Sequence, residues 1–153
     1  MELPKRKQNR LTDYDYSTAG KYFVTICTKN KAKILCDVVG GDAYIAPHVV
    51  LTPYGKIVEK YLRSEPRIEK YVIMPNHIHL IVHLDGTMWA SSPTTVSNIV
   101  RSFKVLVTKE VGTSLFQRSY HDHIIREERD YREIVQYIED NPRRWAEDRY
   151  YAE

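Results

Sequence analysis

Residues 71–83 read YVIMPNHIHLIVH, and this stretch decides the fold. Proline followed by asparagine at 75 and 76 interrupts an apolar run and marks a turn. The spacing therefore predicts two antiparallel strands, Arg67 to Met74 and Ile78 to Leu84, closed by Asp85-Gly86. Side chains alternate across a strand, so Ile78, Leu80, Val82 and Leu84 share one face while His77, His79, Ile81 and His83 share the other. The apolar parity offers a surface on which helices can pack. The other parity sets the Cα atoms of His77 and His79 about 7 Å apart, within reach of one cation.

Working outward, Lys21 to Thr28 (KYFVTICT) is β-branched and aromatic after a glycine and reads as a strand. Cys36 to Val50, containing Gly40, Gly41 and Pro47, reads as a loop. Thr52 supplies a hydroxyl N-cap and Pro53 suits the first turn of a helix carrying Ile57, Val58, Tyr61 and Leu62. Downstream, MWASSPTT is a polar linker. A helix from Thr95 to Val111 follows, with Ile99, Val100, Phe103, Val107 and Val111 in one stripe and Arg101, Lys104 and Lys109 elsewhere around the wheel. Gly112 is its stop.

HDHIIRE, beginning at His121, reads as a short fourth strand. Asp130 and Glu133 resemble a capping pair for a last helix that bears Tyr131, Ile134, Val135, Tyr137 and Ile138 and ends at Asn141-Pro142. The resulting order predicts an α+β, ferredoxin-like (RNA-recognition-like) domain: an antiparallel sheet, two packing helices and an additional C-terminal helix.

A chain of 153 residues has room for one domain with a core, and its 42% hydrophobic and 28% charged content excludes wholesale disorder or a fibrous class. We expect a single domain over 1–153, with a basic N-terminal arm over 1–20 (Lys5, Arg6, Lys7 and Arg10) and a C-terminal tail over 143–153. A net charge of +3 does not by itself name an anionic partner. Cys27 and Cys36 follow no disulfide or metal-ligand spacing and are expected as thiols. No leader pattern or membrane-spanning apolar stretch is visible, so a cytoplasmic protein with no membrane partner is expected.

An H-x-H pair alone is a weak motif, because two histidines on an exposed sheet face need bind nothing. A metal site needs a third ligand and an open position. Tyr137 and Asn141 are four residues apart and so project from one face of the last helix. If that face covers the histidine side of the sheet, the Asn141 amide oxygen can complete the site with the Tyr137 hydroxyl beside it. Otherwise Tyr137 is core packing with Ile134 and Ile138, and Asn141 merely ends a helix.

Taken in order, GKYFVTICTKN, YVIMPNHIHLIV, FQRSYHDHIIREERDY and YIEDNPRRW resemble the HUH single-tyrosine transposases, particularly the REP-associated tyrosine transposases and related insertion-sequence enzymes. The resemblance runs from about Lys21 to Tyr151. It implies a ferredoxin-like domain that binds Mg²⁺ or Mn²⁺ through His77 and His79. Asn141 stands at the third-ligand offset, where other members carry glutamine. It further implies that Tyr137 is the nucleophile, cleaving and rejoining single-stranded or hairpin DNA through a 5′-phosphotyrosine and a 3′-OH. Arg101, Lys104, Arg118 and Arg126 are then candidates for phosphate contacts, and His121, with His123, for DNA contact or support of the metal site. A homodimer is a further possibility, since some relatives exchange the tyrosine helix between subunits. Two rivals remain: a non-catalytic RNA-recognition-like module that binds single-stranded nucleic acid, and a zinc hydrolase using His77, His79 and His121 or His123.

Overall fold

The computed structural model describes residues 19–41, 44–85 and 95–147. Strands β1 (Gly20–Cys27), β4 (Ile68–Met74), β5 (His77–Leu84) and β6 (His121–Ile125) form one sheet in the order β4-β5-β1-β6. Every neighbouring pair in it is antiparallel. Helices α1 (Pro53–Ser64) and α2 (Val96–Val111) complete the ferredoxin-like order, and a third helix, α3 (Glu128–Asp140), follows β6.

The alternation on β5 sorts the two sides of the sheet. Ile78, Leu80, Val82 and Leu84 join Tyr22, Val24 and Ile26 of β1 in the main core, beneath Val58 and Leu62 of α1 and Ile99, Val100, Phe103 and Val107 of α2. Ile81, of opposite parity, packs with Ile134 and Ile138 of α3. The third helix thus lies on the histidine side, and β5 is covered on both faces.

Local chemistry fixes the helix ends. The Thr52 hydroxyl oxygen accepts from the Gly55 amide at 3.1 Å and that of Thr95 from the Asn98 amide at 3.1 Å, each cap contributing about 1 kcal/mol. Gly112 ends α2 in the left-handed region at φ 93°. Gly55 has a different reason to be glycine: a Cβ there would stand 2.0 Å from the Leu35 carbonyl oxygen.

Four expectations are corrected. Cys36 to Val50 is no loop: β2 (Cys36–Val39) pairs with β3 (His48–Leu51) as a hairpin, its β-branched residues prevailing over Gly40, Gly41 and Pro47, which sit towards the turn. Thr28 lies beyond β1 and makes a single bridge to Phe116. Helix α3 starts at Glu128, two residues before the expected cap, with Glu127 as an N-cap that makes no side-chain cap bond; Asp130 instead accepts from His123. The start of the expected tail packs back on the domain, with Trp145 buried against Cys27 and Met74. The arm over 1–18, most of the linker and residues 148–153 lie outside the described residues. Neither cysteine forms a disulfide. Among the described residues no helix is long and apolar enough to cross a membrane.

Candidate active site

Strand register places a partner beside each imidazole. His79 lies opposite Thr25 on β1, and the Thr25 hydroxyl shares a 2.8 Å hydrogen bond with His79 Nδ1. His77, at the start of β5, donates from Nδ1 to Asn76 Oδ1 at 2.8 Å, since an amide oxygen can only accept. Both side chains are fully buried, and their rings stand 4.6 Å apart at 67°. Phe23 stacks on His79 at 5.2 Å, and Trp145 flanks His77 at 6.0 Å.

From the other side, α3 brings Tyr137 against His79 and carries Asn141 one turn further on. The Tyr137 ring lies 5.2 Å from that of His79 and meets Phe23 edge-on at 6.2 Å. The residue is 40% exposed, so solvent reaches part of it. Asn141, the C-cap of α3, is buried, and its Nδ2 donates back to the Tyr137 carbonyl at 2.9 Å. That bond engages the amide nitrogen and leaves Oδ1 without a hydrogen bond among the described residues. Tyr137 and the two histidines belong to one chain, so their meeting needs no second copy.

Three buried polar atoms make no hydrogen bond among the described residues: His77 Nε2, His79 Nε2 and Asn141 Oδ1. Leaving one such atom unsatisfied costs about 1–3 kcal/mol, so three of them call for an explanation. They are the donors a cation would use. With His77 Nδ1 protonated, Nε2 presents a lone pair, and the Nδ1 partners hold the rings at the required angle.

The remaining candidates are more scattered. His121 is exposed on β6 opposite Thr25, on the histidine side but with β1 between it and His79. His123 bonds Asp130 of α3 at 2.7 Å. Arg118 and Arg126 are exposed on either side of β6. Arg101 is exposed on α2, across the sheet from Tyr137. Lys104 donates from Nζ to the carbonyls of Gln117 (2.8 Å), Ser119 (3.1 Å) and Arg118 (3.3 Å), bracing the segment that leads into β6. Among the described residues no three His, Cys, Asp or Glu side chains are grouped to hold a metal ion, so the ligand set of the zinc-hydrolase reading is not assembled.

No family model matches the chain. An uncharacterised protein of Haemophilus influenzae is 32% identical to it, over 97% of this chain and 94% of that one. The two belong to one family. Among solved structures, a REP-associated tyrosine transposase bound to a REP hairpin aligns over 95% of this chain and 74% of its own, with a TM-score of 0.58 and 24% identity. That likeness supports the fold of this chain alone. A candidate transposase from Deinococcus radiodurans aligns over 88% of this chain and 97% of its own at 19% identity, with a TM-score of 0.45, which carries no argument.

Sequence reasoning missed Thr25, Asn76, Phe23 and Trp145 as neighbours of the histidines. Asn76 was legible in principle, adjoining His77 and preceded by a proline. Thr25 and Phe23 depend on the β1–β5 register, and Trp145 on the fold-back after Pro142.

Proposed function

We propose that the protein is a DNA strand transferase of the HUH tyrosine transposase type, cleaving and rejoining single-stranded or hairpin DNA. The observation that carries this reading is the meeting of the Tyr137 ring with the buried His77–His79 pair, 5.2 Å from His79, on the sheet face covered by α3. Its fold is that of a solved tyrosine transposase, which supports the reading without deciding the chemistry.

The chemistry of the donors fits a divalent cation such as Mg²⁺ or Mn²⁺, which His77 Nε2, His79 Nε2 and Asn141 Oδ1 would hold. When bound, the ion supplies charge stabilisation to the phosphodiester undergoing substitution. Tyr137 Oη attacks phosphorus while the bond from phosphorus to the 3′ oxygen breaks. The phenolic proton is lost and the departing oxygen gains one, leaving a 5′-phosphotyrosine and a 3′-OH. Retention of a phosphodiester at the tyrosine lets a second 3′-OH reverse the step and join strands. Phe23 and His79 confine the phenol ring, which limits the orientations it samples before attack. His121, Arg118 and Arg126 are the exposed groups on and beside β6 suited to phosphate contact, whereas Arg101 lies on α2 across the sheet and Lys104 already gives its Nζ to three carbonyls.

The test is incubation of the full chain with a panel of single-stranded and hairpin oligonucleotides and Mn²⁺, scored for a protein–DNA adduct on a denaturing gel. The parent should form an adduct and Tyr137→Phe none. An adduct in the variant would move the nucleophile elsewhere, and no adduct across the panel would favour a binding module.

A further inference from the structure

We propose that the loop between β1 and β2, Lys29 to Lys33, is a phosphate-contacting rim for the DNA strand that enters the Tyr137 site. The inference rests on the single-stranded DNA reading above and adds to it a surface outside the candidate contacts on α2 and around β6.

The loop is anchored at the His77 end of the sheet. Its first flank is held by the Thr28 amide donating to the Asn76 carbonyl at 3.0 Å, and its second by the Leu35 amide donating to the Pro75 carbonyl at 3.0 Å. Asn76, whose Oδ1 accepts from His77, also donates from Nδ2 to the Lys31 carbonyl at 3.4 Å. One residue thus touches both the loop and the histidine pair. Lys33 Nζ stands 5.8 Å above the Trp145 ring, and that ring is 6.0 Å from His77.

Charge sets this loop apart. Lys29, Lys31 and Lys33 are all exposed, and among the described residues neither Lys29 nor Lys31 forms an ion pair. Several cations elsewhere are matched by carboxylates: Lys21 with Glu69, Lys60 with Glu110, Arg67 with Glu65 and Lys70 with Glu139. Lys29 and Lys31, two residues apart, repel each other, and an anionic strand relieves that repulsion. The backbone is also unusual. Asn30 and Lys31 both occupy the left-handed region, at φ 56° and 54°, which side-chain-bearing residues seldom do in succession. The turn is held there by the Thr28 hydroxyl donating to the Ala32 carbonyl at 2.8 Å and the Lys29 amide donating to the Leu115 carbonyl at 2.9 Å. Strain retained at a fixed, cationic loop beside a candidate site fits a binding role.

The test measures affinity of the full chain for fluorescein-labelled oligothymidylate across a NaCl series, without metal. Each lost phosphate contact lowers the slope of log affinity against log salt by about 0.7 for single strands, so Lys29→Gln with Lys31→Gln should lower it by about 1.4. Lys56→Gln with Lys109→Gln removes equal charge from exposed positions on α1 and α2 and should leave the slope unchanged. An unchanged slope in the loop variant, or an equal fall in the control, overturns the inference. So does binding of oligouridylate alone, or a parent that binds neither. A loop-dependent slope in a protein that forms no Tyr137 adduct upholds the rim and removes only the covalent chemistry.

Discussion

Thr25 and His79 face each other across the β1–β5 ladder, joined by a 2.8 Å hydrogen bond between the hydroxyl and Nδ1. This contact, not the histidine spacing, decides which way the second imidazole points. A ring tied at Nδ1 can offer only Nε2 to the space shared with His77 and Tyr137.

Thr25→Val keeps the shape and removes the tether. We expect Mn²⁺ affinity, measured by calorimetry, to fall about 10-fold or more, as is usual when a ligand's outer partner is lost. Nitrogen-15 spectra of His79 should show altered tautomer populations, and the thermal midpoint should fall by a few degrees because Nδ1 loses its buried partner. Unaltered affinity together with unaltered spectra would show the hydroxyl to be incidental.

Asn141→Leu replaces the amide by an apolar group of similar size at a buried position. Mn²⁺ binding should weaken at least 10-fold, because a ligand is lost outright. Asn141→Gln, which keeps an amide oxygen on a longer arm, should bind better than the leucine variant. Equal titrations for the two would exclude the amide from the donor set.

Acid should loosen α3 through Glu69. Burial pushes its carboxyl upward, but hydrogen bonds from Lys21 and Tyr131 outweigh that and hold it below the ordinary value of 4.5. A depressed carboxyl stabilises the fold above its unfolded value and loses that contribution as pH falls through the folded one. Because Glu69 on β4 receives Lys21 of β1 at 2.8 Å and Tyr131 of α3 at 2.7 Å, the loss is felt where α3 meets the sheet. Thermal unfolding of the parent should weaken below the ordinary glutamate range, and Glu69→Gln should be less stable at neutral pH with a flatter acid limb. Parallel acid limbs would assign the effect to other carboxylates.

Gly55→Ala should destabilise the protein by about 3 kcal/mol in chemical denaturation, at the upper end of overpacking effects. In an open helix the same change would stabilise by about 1 kcal/mol. The sign reverses here because the new methyl meets the Leu35 backbone, which cannot move aside like a side chain.

Much of this was visible in the residues alone. The parity of His77 and His79 against Ile78 and Leu80 separated the two sheet faces, and the four-residue step from Tyr137 to Asn141 predicted a shared helix face. Both are local periodicities. The β2–β3 hairpin was hidden because Gly40, Gly41 and Pro47 speak for irregularity, whereas the strands around them are stabilised by each other. The Lys104 contacts with three carbonyls were equally hidden, because a lysine on a polar helix face carries no mark of what it will reach. Cross-strand partners such as Thr25 follow from register, which pairing fixes and composition does not.

The bond from Asn141 Nδ2 to the Tyr137 carbonyl spans a single helical turn. On the proposed function, the amide oxygen and the phenol therefore stand or fall together: unwinding of that last turn would withdraw both at once, while the four-stranded sheet stays intact. Availability of the reaction is then all-or-none, governed by one turn of helix instead of by the stability of the whole domain.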